Sequence, residues 1–208
     1  RMRDWSAAAA AYTRAADLSP ETVSNWSRLG HMLAEVGRLP DAVTAFEKAL
    51  ALNPDSIQNR VDLACAQFAL EDKPAFRRTV REIHEDFNSP TDLLASPMLV
   101  WLGVVFPKEV RDWGFLKEAA ARAGQREYLG AVLFRAGDYT GAAASFGAGD
   151  APPWLWPIHA MTCQRLGNSD QANRLLEKIR QVMPGLIKTM WPDRPIHWTD
   201  RLAVKVLL

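Results

Sequence analysis

Trp26-x-x-Leu29-Gly30-x-x-Leu33 is followed by Ala42-x-x-x-Phe46-x-x-Ala49 and then by Pro54. Large apolar residues at steps of three and four describe two amphipathic helices. The small residues Gly30, Ala42 and Ala49 fall where those helices would approach most closely, and Trp26, Leu29 and Phe46 fill the wider gaps. Gly37, just before Leu39-Pro40, marks the turn between them, because a residue without Cβ takes the left-handed conformation that ends a helix. Pro54 closes the second helix, since it has no backbone donor for a helix interior. Moved by 34 residues, the pattern pairs Ala8 with Ala42, Tyr12 with Phe46, Ala15 with Ala49 and Pro20 with Pro54. A period of this length is the mark of stacked helical hairpins.

Two further copies stand near the C-terminus. One is Leu129-Gly130-x-x-Leu133, Gly137 and Ala142-x-x-x-Phe146; the other is Trp156, Ala160, Cys163, Gly167, Ala172-x-x-x-Leu176, Ile179 and Pro184. Both keep a step of 12 from the small residue of the first helix to the Ala of the second. Between the strong copies the pattern weakens. Residues 57–90 keep Leu63-Ala64 but reach Pro74-Ala75-Phe76 one residue early, which predicts a shortened turn at Glu71-Asp72-Lys73. Residues 91–124 keep the length, with helical patterns at Leu93–Val105 and Asp112–Ala123 separated by Pro107.

The unit that contains Trp26 resembles the tetratricopeptide repeat (TPR) at its signature positions, with Leu33 where that pattern usually has Tyr. The resemblance implies an all-α fold, a right-handed α-solenoid of about five helical hairpins. Its expected divisions are a partial repeat over 1–22, repeats over 23–56, 125–152 and 153–186, degenerate repeats over 57–90 and 91–124, and a C-terminal helix over 195–208. Residues 125–208, through Tyr128-Leu129-Gly130, Gln164-Arg165-Leu166-Gly167 and Trp198-x-Asp200-Arg201-Leu202, are similar to the C-terminal repeat segment of large bacterial proteins. In that group the segment follows a Ser/Thr protein kinase domain or a WD-repeat propeller. The helical pattern starting near residue 4 and the apolar run Val204 to Leu208 add the expectation of a piece of a longer protein.

Composition narrows the functional classes. The chain has 208 residues, with 25 Lys and Arg against 24 Asp and Glu, so its formal charge of +1 offers no bulk field for a polyanion and predicts no nucleic-acid partner. No apolar stretch approaches the roughly 20 residues that cross a bilayer, and no signal peptide precedes Trp5, which predicts a cytoplasmic chain without a membrane partner. Cys65 and Cys163 have neither disulfide nor zinc spacing. His31, His84, His159 and His197 are dispersed, and neither a nucleophile elbow nor a phosphate loop occurs. The sequence therefore predicts no enzyme, no catalytic residue, no metal site and no cofactor. Eight Trp among 208 residues have a packing explanation, since Trp26 and Trp156 hold the large position between repeats.

In solenoids of this kind the first helix of each hairpin lines a concave surface that takes a partner. The repeat register puts His31 and Glu35, Phe68, Phe134 and Arg135, and Met161 and Arg165 on that surface, with Trp154 as a further candidate. The chaperone-binding members grip a carboxylate with Lys, Asn and Arg; here Ser27, His31, Asp62, Asp92 and Ser96 hold those places, which excludes that clamp. The resulting expectation is a protein- or peptide-binding scaffold, with Met161 as an adaptable contact and the arginines orienting the segment. Self-association into a homo-oligomer, or a spacing role beside a kinase or propeller, is the alternative.

Overall fold

A computed structural model of the chain describes residues 4–86, 96–110, 112–122, 124, 126–147 and 151–189. Among these, eleven α-helices occur and no strand. The expected C-terminal helix over 195–208, which includes Trp198, and the groove position Asp92 lie outside the described residues. The chain divides into two compact units, Arg1–Asp86 and Phe87–Leu208.

Unit 1 holds α1 (Trp5–Leu18), α2 (Val23–Glu35), α3 (Leu39–Leu52), α4 (Ile57–Ala69) and α5 (Lys73–Asp86), each packed on the next. The seam of the α2/α3 hairpin follows the small-residue pattern. A Cβ on Gly30 would sit 2.6 Å from the Phe46 ring, so glycine is what lets Phe46 be fully buried there. The next hairpin solves the same problem with other volumes: Ala64 and Val80 stand 34 residues on from Gly30 and Phe46, and both are buried.

Unit 2 holds α6 (Ser96–Val105), α7 (Trp113–Arg122), α8 (Arg126–Arg135), α9 (Tyr139–Phe146), α10 (Trp156–Arg165) and α11 (Ser169–Thr189), with 3-10 turns at Pro107–Glu109 and Pro153–Leu155. The first helices α6, α8 and α10 lie side by side. Leu99, Val100, Trp101, Leu102, Val104 and Val105 are all buried and Met98 is half-buried, so most of the described part of α6 is enclosed.

One turn recurs four times. The N–H groups of Arg38, Asp72, Asp138 and Asn168 bond to the carbonyls of Leu33, Gln67, Leu133 and Cys163 respectively, five residues earlier in each case. The residue before each donor has a positive φ: Gly37 at 80°, Glu71 at 61°, Gly137 at 87° and Gly167 at 75°. Asp72, Asp138 and Asn168 then accept from the N–H three residues on and cap the second helix. The predicted shortening at Glu71-Asp72-Lys73 is therefore wrong. The second hairpin keeps the full turn, with a glutamate in the left-handed position, and Phe76 takes the small-residue place held by Ala42, where its ring meets Phe68 edge-on at 5.2 Å.

Trp26 and Trp156 have matching surroundings, as the repeat register requires. Each indole N–H donates to a backbone carbonyl shortly before its helix, Pro20 at 2.7 Å and Ala151 at 2.8 Å. A lysine ammonium covers each ring, Lys48 at 4.2 Å and Lys178 at 4.3 Å.

Candidate functional site

The four equivalent turns align the ends of the first helices. Leu33, Gln67, Leu133 and Cys163 correspond, so Glu35, Ala69, Arg135 and Arg165 also correspond. The turn is constant and the residues at these helix ends are chemically varied.

In unit 2 the sequence-predicted residues fall into four situations. Phe134 and Arg165 are joined through Tyr139: the Phe134 and Tyr139 rings are 5.5 Å apart, and the Arg165 guanidinium carbon lies 5.6 Å from the centre of the Tyr139 ring. Met161 stands one turn before Arg165 on the same face of α10 and is 37% exposed, while Ile158, Ala160, Thr162 and Cys163 around it are buried. Arg135 is half-buried and donates its Nε–H to the Val104 carbonyl at the end of α6, 3.2 Å away. Burial pulls its guanidinium below the usual arginine value. Trp154 packs instead of lining a wall: it is buried, edge-on to Tyr128 at 5.3 Å. Behind this face His159 is buried and stacked on Phe146, ring centres 4.6 Å apart, and the same desolvation holds its imidazole below the ordinary histidine range.

In unit 1, His31 and Glu35 are half-buried one turn apart on α2, and Phe68 is half-buried on α4. His31 meets the Phe46 ring edge-on at 5.3 Å and brings its Nε2 to 3.3 Å from Oδ2 of Asp62 on α4. Asp62 is fully buried, and Gln58 donates to the same Oδ2 at 2.9 Å. Its Oδ1 has no hydrogen-bond partner among the described residues. Burial pushes the Asp62 carboxyl up to about 7, against the lesser downward pull of the Gln58 bond. A link between α2 and α4 thus rests on a carboxyl that burial drives toward its neutral form. An open cleft of about 240 Å³ lies elsewhere in this unit, lined by Leu50, Pro54, Arg60, Leu63, Thr79, Glu82 and Asp86, with the Arg60–Asp86 ion pair among its lining residues.

Reading the sequence placed Asp62 on the inner surface only by its position in the repeat, and missed both its pairing with His31 and the role of Tyr139. Tyr139 begins a second helix, which the register assigns away from the wall. Only the folded path of the turn brings its ring over to Arg165.

Residues 1–57 match the family model described as tetratricopeptide repeat. The match spans α1 to α3, the part whose 34-residue step is clearest. Among solved structures, the chain is similar to a thermophilic TPR protein of Thermus thermophilus, with 20% identity, a TM-score of 0.53, and coverage of 89% of this chain and 98% of that one. Two crystal structures of MamA align at 16% and 15% identity with TM-scores of 0.40 and 0.38, covering 89% and 92% of this chain and 92% and 90% of theirs. No curated protein matches the chain. The fold is all-α, built of tetratricopeptide-type hairpins. No helix among the described residues is long and apolar enough to cross a membrane.

Proposed function

We propose that the chain is a non-catalytic scaffold that binds a segment of another protein along the face formed by its first helices. Hairpins of this type generally serve protein interaction, and the observation that carries the reading here is the exposure of Met161. An unbranched apolar side chain is 37% exposed one turn before Arg165, whose guanidinium lies against the Tyr139 ring that in turn meets Phe134. A segment laid over α8 and α10 would cover it. Selection of binders from a random-sequence peptide display library tests the reading. Met161→Glu is expected to weaken the selected peptides at least about tenfold, with the melting temperature unchanged because the site is exposed. Selected peptides that bind the variant as tightly as the parent would defeat it.

The likeness of residues 125–208 to the repeat segment of bacterial kinase and WD-repeat proteins supports placing this scaffold in a larger bacterial, cytoplasmic protein of that kind. Self-association is the second reading. It is favoured by Leu18, 84% exposed, and Leu52, 42% exposed, which hold equivalent places at the ends of α1 and α3. Light scattering over a range of concentrations separates the two, since a strictly monomeric chain excludes the second.

A further inference from the structure

We propose that the segment bound on unit 2 is acidic, its carboxylates meeting Arg135 and Arg165 while an apolar side chain of the same segment covers Met161. This rests on the wall-binding reading above and adds the chemistry of the partner. The equivalent turns Leu133–Asp138 and Cys163–Asn168 set the two arginines at the same place on consecutive first helices, each two residues before its turn glycine. Neither has a carboxylate partner among the described residues. Arg135 directs its Nε–H to the Val104 carbonyl, and Arg165 lies against the Tyr139 ring.

A cation in the last turn of a helix is ordinarily explained by the negative end of the helix dipole. That accounts for Arg165 as an exposed side chain and not for Arg135, which is half-buried and desolvated without a counter-charge. A carboxylate arriving at its terminal nitrogens would offset that cost, and a guanidinium already laid on an aromatic ring is pre-set for the same two-pronged contact. Peptide is favoured over nucleic acid because the patch joins its cations to an exposed thioether rather than to a basic row, in a chain whose formal charge is only +1.

Fluorescence anisotropy on the whole chain tests the idea with three labelled probes: a peptide alternating Glu and Leu, its Lys and Leu counterpart, and a short oligothymidylate. The acidic peptide is expected to bind, to weaken with added salt, and to lose at least about tenfold in affinity with Arg165→Gln, more with Arg135→Gln added. The exposed Arg165 makes the single variant safe for folding. The proposal is overturned if the acidic peptide does not bind, if both variants bind it unchanged, or if the basic peptide or the oligonucleotide binds as well or better. Display-selected peptides that need Met161 but carry no acidic residues would leave the scaffold reading intact and defeat this one alone.

Discussion

Glu71 and Asp62 show how single residues depart from the repeat at a physical cost. Glu71 holds φ at 61° where the three equivalent turns have glycine. A side chain in the left-handed region costs roughly 1–2 kcal/mol, partly offset because glycine loses more freedom on folding. Glu71→Gly is therefore expected to stabilise unit 1 by about 0.5–1 kcal/mol, read as a rise in the urea midpoint; a fall would contradict the turn assignment. Asp62 carries the opposite kind of lesson. Its carboxyl is pushed up to about 7 in the folded chain, against about 3.9 for an unperturbed aspartate. The folded state holds that proton more tightly than the unfolded state. Its favourable contribution is thus complete below about pH 4 and is lost as the pH rises through about 7. An unfolded histidine takes up a proton below about pH 6.5 and offsets part of this slope, so the comparison that isolates the carboxyl is with Asp62→Asn. At pH 8 the variant should exceed the parent by on the order of 1–3 kcal/mol, because the amide removes a buried charge with an orphaned oxygen. The gap should close toward about pH 5, and a gap independent of pH would refute the assignment.

Hairpins were legible in the sequence where seam and turn chemistry agreed. Gly30 with Ala42 and Gly130 with Ala142 put small residues at both sides of the contact, and all four are buried. Gly37, Gly137 and Gly167 marked their turns. The second hairpin misled because Ala75 is the small residue nearest the expected place, while the hydrogen bonds of the turn put Phe76 there. What decides that register is the 34-residue step of the backbone, with volumes exchanged across the seam. The exchange is testable. Gly30→Ala brings a Cβ to 2.6 Å from Phe46 and should cost about 1–3 kcal/mol. Adding Phe46→Val copies the Ala64 and Val80 pair of the next hairpin, so the double variant should lose clearly less than the two single losses added together. Strict additivity would mean that the two positions do not share one contact.

Across the whole molecule, the architecture could be read from periodicity, whereas the wall could be read only in part. Periodicity places Met161, Arg165, Phe134 and Arg135 on first helices, the side proposed to meet a partner, since it counts helical turns. It cannot report that Trp154 is drawn inward against Tyr128, or that Tyr139 crosses to Arg165, because both depend on side-chain packing between hairpins. The functional account stands on that face. Amide hydrogen exchange of the whole chain, with and without a display-selected peptide, tests it most directly. The expected result is slowed exchange in α8 and α10, at and around Phe134–Arg135 and Met161–Arg165. Slowing confined to the second helices α9 and α11, or none in α8 and α10 at saturating peptide, would contradict it.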